Sequence, residues 1–172
     1  MSSQVEVDEA EVVDAGLDPR RWVVLGVLCL ALLVVGIDGT IVNVALPTLV
    51  RELNASASEL QWIVDAYTIV FASFLLIAGN TGDRLGRKKC FVIGLLIFAA
   101  GSLGCSQVSS ATALIGFRAL QGFGAAFIMP ATLSILVNVF PPHERAKAIA
   151  IWATTTGIAG SIGPVITGWV LG

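Results

Sequence analysis

The chain has 172 residues, of which 56% are hydrophobic and 13% charged, with a formal net charge of −2 and a mean hydropathy of +0.88. Soluble domains carry roughly a quarter charged residues, and a domain this small leaves much of its surface in water. The composition therefore excludes an ordinary water-soluble globular domain and points to lipid as the solvent.

Residues 1–21 read as a polar tail. Glu6, Asp8, Glu9, Glu11, Asp14 and Asp18 supply half of the twelve acids, and so charged a segment is expected to stay disordered. The acidic tail and the length of the apolar run that follows Arg20 and Arg21 argue against a cleaved signal peptide. That run instead reads as a first membrane helix, about Trp22–Leu46, stopped by Pro47. A second helix is expected over about Glu59–Gly79, a third over Cys90–Val108, a fourth over Ala111–Val139 with Pro130 inside it, and a fifth from Ala146 to the end. Each approaches the ~20 residues that cross a hydrocarbon core of ~30 Å. Runs this long without alternation fit helices, not barrel strands. Residues 22–172 are thus expected to form an all-α membrane domain of five transmembrane helices.

Lysine and arginine set the expected orientation. Arg20, Arg21, Arg84, Arg87, Lys88, Lys89, Arg145 and Lys147 fall on one side, and Arg51 alone on the other. This predicts a multi-pass protein of the cell membrane with a cytoplasmic N-terminus. Cys29, Cys90 and Cys105 lie in or beside apolar runs without metal-ligand spacing and read as packing residues. A single histidine, His143, argues against a metal site. No pairing of nucleophile with base and no phosphate-binding loop suggests an enzyme, and no nucleic-acid partner is expected.

Three ionisable residues fall inside spans: Asp38, Asp65 and Arg118. Each is expensive in hydrocarbon and should be paired on an inward face. At ~1.5 Å per residue the three reach similar depths on three helices. This predicts either a proton-exchanging site or an ion bridge that only fixes helix register. In the fifth span Gly157, Gly160, Pro164 and Gly168 recur at three- and four-residue steps, with Gly163 beside Pro164. Such a stripe is expected to admit a close neighbouring helix, and the proline to bend its own. The segment from Gly79 to Lys89 reads as a tight charged loop, with Asp83 set among four basic residues.

That segment resembles the loop motif of the major facilitator superfamily, Gly-x-Leu-Ala-Asp-Arg-x-Gly-Arg-Lys. Gly79, Asp83, Arg84, Gly86, Arg87 and Lys88 match, while Thr81 and Gly82 replace leucine and alanine. Ile37 through Pro47 is similar to the first-helix motif of the fourteen-helix drug:proton antiporters, Leu-Asp-x-Thr-x-x-Asn-x-Ala-Leu-Pro. Arg118 through Gly124 resembles the fourth-helix motif. Gly157 through Gly168 resembles the antiporter motif of the fifth, with Ala159 and Thr167 where glycine is usual. Trp62 through Tyr67 is similar to the second helix of exporters in that branch.

The resemblance implies an incomplete N-terminal bundle, since family members have twelve or fourteen helices in two halves. It implies proton-coupling or substrate roles for Asp38, Asp65, Arg118 and Gln121. Asp83, Arg84 and Arg87 would form a cytoplasmic latch, joined by Glu144 and Arg145, and Gly163 and Pro164 would belong to the exporter bend. The implied activity is proton-coupled export of small lipophilic compounds or drugs, cations among them, driven by the proton gradient without a cofactor. The expected partners are a small-molecule substrate, the bilayer and a second transporter half. A facilitator or importer of a small metabolite and a non-transporting fragment are the other expectations.

Overall fold

The computed structural model describes the backbone of residues 19–171 and the side chains of residues 19–162. Five helices follow one another: α1 Arg21–Leu53, α2 Ala57–Leu85, α3 Arg87–Cys105, α4 Ala111–Val139 and α5 Pro142–Leu171. Among the described residues, α1 to α4 are long and apolar enough to cross a membrane. The polar tail expected over residues 1–21 lies, up to residue 18, outside the described residues. So do the side chains of Gly163, Pro164, Thr167 and Gly168.

Local chemistry sets the helix ends. Ser56 and Glu59 form a capping box at the start of α2: the Glu59 carboxylate accepts from Ser56 N at 2.9 Å, and Ser56 Oγ accepts from Glu59 N at 3.4 Å. The two bonds satisfy backbone donors that the first helical turn cannot. Ser110 Oγ does the same for Ala113 N ahead of α4. Phe140 is extended just before Pro141, as the proline ring demands of its predecessor, and Pro142 opens α5, where its missing N–H costs nothing.

Two expected boundaries are corrected. Pro47 does not stop the first helix, which runs on to Leu53 and ends where Asn54 turns left-handed at φ 48°. Leu49 and Leu53 pack on the buried cluster of Ala55, Ile63, Ala111 and Leu114, and this packing holds the last turns after the donor lost at Pro47. The charged loop is also much shorter than Gly79–Lys89. Helix α2 runs through Leu85 and α3 starts at Arg87, so Gly86 alone breaks the helix, at φ 98° and ψ 129°. That backbone region belongs almost wholly to glycine. Arg87 stitches the break by pairing with Asp83 and donating to the Gly79 carbonyl at 3.1 Å.

Helix α4 is the axis of the bundle. It packs along α2 on one side and α3 on the other, while α1 packs chiefly along α5. Glycines permit the close approach: a Cβ on Gly122 would stand 2.3 Å from the Tyr67 carbonyl oxygen of α2, and one on Gly124 2.6 Å from Phe98 N of α3. Helices approach this closely only where side chains are absent. Between α1 and α5 the tight contact is Gly36 against Ala159. Of the predicted stripe, the described Gly157 and Gly160 do not supply it, because nothing in the described structure comes within 4 Å of a Cβ placed on either.

The buried apolar side chains form two clusters. One joins Leu25 and Leu28 of α1, Phe91 and Phe98 of α3, and Ile128 and Leu136 of α4. The other joins Ala55, Ile63, Ala111 and Leu114 near the opposite end. A polar layer lies between them on α1 and α4, at Asp38, Arg118 and Gln121.

Candidate functional site

Arg118 and Gln121 sit three residues apart on one face of α4 and are 2% and 1% exposed. An ionised arginine so buried must have its charge and its donors answered locally. The structure answers them from four sources. Arg118 Nη1 donates to Asp38 Oδ2 of α1 at 2.6 Å and to Gln121 Oε1 at 3.0 Å. Arg118 Nε donates to the Ile63 carbonyl of α2 at 3.2 Å. Its guanidinium carbon lies 4.3 Å from the centre of the Tyr67 ring, a cation–π contact.

Gln121 closes the ring. Its Nε2 donates to Asp38 Oδ1 at 2.8 Å, so both carboxylate oxygens of Asp38 are engaged. The Cys105 thiol of α3 donates to Gln121 Oε1 at 3.4 Å. Four helices thus converge on one network. It borders a cavity of about 240 Å³ whose wall includes Asp38, Ser102, Cys105, Arg118 and Gln121 along with Ile41 and Leu114. Asp38 remains 17% exposed at its side chain, against 2% for Arg118. Both members of the pair border the cavity, and the carboxylate is the more exposed of the two.

Of the four residues expected in the coupling site, Asp38, Arg118 and Gln121 come together and Asp65 does not. Asp65 makes no hydrogen bond or ion pair within the described structure. Ile63 and Tyr67, which both touch Arg118, are four apart and share one helix face. Asp65 lies midway between them, about 200° around the helix from Ile63 at ~100° per residue. Equal depth placed Asp65 with the others, but its direction around the helix takes it away. Tyr67 and the Ile63 carbonyl carried no expected role, and Cys105 was expected only as a packing residue. The signal for the first two was the i, i+4 spacing of Ile63 and Tyr67 at the level of Arg118.

The second expected constellation is rearranged. Asp83 and Arg87 pair within the α2–α3 junction. Glu144 turns instead to the start of α1, where Arg21 Nε and Nη2 donate to its two carboxylate oxygens at 2.7 and 3.2 Å. Trp22 packs edge-on to Phe140 at 5.1 Å, and Lys147 Nζ lies 5.3 Å from the Trp22 ring. Glu144 therefore joins α1 to α5 and not to the α2–α3 junction. Its carboxyl is held below the usual carboxylate range, mainly by the Arg21 hydrogen bond. Burial opposes this, and the charges of Arg21, His143 and Lys147 add to it. Arg145 donates weakly to the Phe140 carbonyl at 3.5 Å, and Arg84 is exposed.

The sequence profile of the Major Facilitator Superfamily matches residues 28–172. The multidrug efflux pump LfrA of Mycolicibacterium smegmatis is 41% identical over 153 residues, covering 88% of this chain and 30% of that protein. The puromycin resistance protein pur8 of Streptomyces alboniger is 40% identical over 149 residues, covering 86% and 30%. The riboflavin transporter RibZ of Clostridioides difficile is 36% identical over 152 residues, covering 88% and 33%. The chain therefore spans about a third of the length of these relatives. Among solved structures, an inward-facing bacterial homologue of the human lysosomal transporter Spinster superposes with a TM-score of 0.79 at 24% identity. The match covers 89% of this chain and 32% of that one.

Proposed function

The chain belongs to the major facilitator superfamily, and from that premise we propose that it supplies the coupling site of a proton-driven exporter of small lipophilic cations. The family and the relatives are transporters and not enzymes, and the chain is a multi-pass membrane protein. The observation that carries the proposal is the Asp38 carboxylate, bound to buried Arg118 and Gln121 yet open to a cavity. In this reading a cation entering the cavity and a proton compete for the Asp38 carboxylate. Proton and substrate then exclude one another at one group, which is the thermodynamic content of antiport. The efflux and resistance proteins among the relatives support the export direction.

Alternating access uses two bundles moving about a central site. The coverage of the relatives supports a transporting unit larger than these five helices, with this bundle as one wall of the pathway. The energy source in this reading is the proton gradient alone, across the cell membrane with the N-terminus cytoplasmic. The test is proton release from the detergent-solubilised transporter, as the cell makes it, on adding a lipophilic cation. Release that disappears in Asp38→Asn supports the proposal, and undiminished release leaves Asp38–Arg118 as a structural ion bridge. RibZ favours a second reading, a carrier of a metabolite such as a flavin. Vesicle transport of riboflavin without counterflow of a lipophilic cation would select it.

A further inference from the structure

Resting on the coupling role proposed above for Asp38, we infer that Tyr67 is a positioning residue which holds the Arg118 guanidinium while Asp38 carries a proton. An acid that exchanges protons is neutral for part of its cycle. Arg118 keeps its charge throughout. It is 2% exposed, and in that part of the cycle it loses the one carboxylate it pairs with among the described residues. A buried cation left without a counter-charge is costly. The partners that remain are neutral: Gln121 Oε1 on its own helix, and the Ile63 carbonyl and Tyr67 ring on α2. The two oxygens already hold their hydrogen bonds. The face of an aromatic ring attracts the cation as a whole, and more strongly as water is removed.

The ring is built into its place. Ile63 and Tyr67 are four residues apart, so α2 brings a carbonyl and a ring to the guanidinium from one face. Gly122, one turn beyond Arg118 on α4, lies against the backbone of Tyr67, where a Cβ would stand 2.3 Å from the carbonyl oxygen. A larger residue there would push α2 away and carry the ring off the guanidinium, whose carbon now lies 4.3 Å from the ring centre. Phe71, one turn further along α2, stacks parallel to the ring, with centroids 6.2 Å and planes 5° apart. None of these contacts involves Asp38, so a proton on Asp38 leaves them in place.

A ring that only fills space and a ring that holds charge differ in one respect. The first is equally important whether Asp38 is charged or neutral, and the second matters more when Asp38 is neutral. Thermal unfolding of the detergent-solubilised chain separates them in a double-mutant cycle, with Asp38→Asn standing for the neutral acid. Tyr67→Leu should lower the Tm in both backgrounds, and about twice as far in Asp38→Asn. Tyr67→Phe keeps the ring face and should recover most of the loss in each. Equal losses in the two backgrounds, or no recovery with phenylalanine, overturn the inference. Ring-fluorinated phenylalanines in place of Tyr67 give a second measure in the parent chain, for use where Asp38→Asn fails to fold. Successive fluorines weaken the negative face at nearly constant shape, so the Tm should fall stepwise, and a Tm indifferent to fluorine overturns the inference too. Both readouts are independent of transport. Additive losses beside proton release that Asp38→Asn abolishes strike Tyr67 alone, whereas release that survives Asp38→Asn removes the coupling role and with it the protonated state that Tyr67 would serve.

Discussion

Arg118 divides its hydrogen bonds and its charge among Asp38, Gln121, the Ile63 carbonyl and the Tyr67 ring, so removing one partner leaves a buried cation short. Breaking a buried ion pair from one side costs about 3–5 kcal/mol. Asp38→Asn should therefore lower the thermal stability of the detergent-solubilised chain, as well as abolish proton-driven transport. Asp65→Asn changes no bond in the network and should shift stability by no more than about 0.5 kcal/mol. Thermal unfolding of the two variants side by side checks both statements. Arg118→Lys keeps the charge but cannot reach Asp38, Gln121 and Ile63 with one planar fork. It should insert normally and lose coupling, read as substrate binding without proton release. Asp38 and Arg118 could be singled out in the sequence because a charge inside an apolar run demands a partner. Asp65 satisfied the same rule and failed, because residue count gives depth along a helix and says little about which way a neighbour will lie.

Helix α4 shows how one element is tuned residue by residue. Gly116 is exposed, and a Cβ there meets nothing within 4 Å, whereas a Cβ on Gly122 collides with the Tyr67 backbone. Alanine at Gly116 should stabilise the chain by up to about 1 kcal/mol through helix propensity alone. Alanine at Gly122 should destabilise it by about 1–3 kcal/mol, since α2 must move off the axis helix. Denaturation midpoints of Gly116→Ala and Gly122→Ala give the two signs. The extent of α4 was readable from its apolar run and matched Ala111–Val139. The ends of α1, α2 and α3 were not. Pro47 looked like a stop because the packing of Leu49 and Leu53 beyond it is tertiary. The charged junction looked like a loop because Arg87, Asp83 and the Gly79 carbonyl bridge a one-residue break that composition does not reveal.

Across the whole molecule the five helices are tied by contacts far apart in sequence, and those were the least legible. Arg21 and Glu144 are 123 residues apart, and their pairing clasps α1 to α5 on the side that carries most of the basic residues. Because the folded Glu144 carboxyl titrates below its unfolded value, the clasp contributes fully above the unfolded pKa of about 4.3. It is lost as pH falls through the lowered folded value. Trp22 rests on Phe140 beside it. The acid change in tryptophan emission should therefore include a component that Glu144→Gln removes. The division of the chain by charge is a separate whole-molecule statement. Ser56 caps α2 at one end and Lys88 opens α3 at the other, with the 29 residues of α2 between them, or about 43 Å at 1.5 Å per residue. That exceeds a hydrocarbon core of ~30 Å, so the two positions belong on opposite sides of the bilayer. Basic residues are favoured on the cytoplasmic side. A cysteine at Ser56 should react with an impermeant maleimide added to intact cells, and a cysteine at Lys88 only after the membrane is opened. Cys29, Cys90 and Cys105 are replaced beforehand so that the label reports these sites alone. Reaction of both positions in intact cells would mean that α2 does not cross, and the reverse pattern would turn the bundle over while leaving its packing intact.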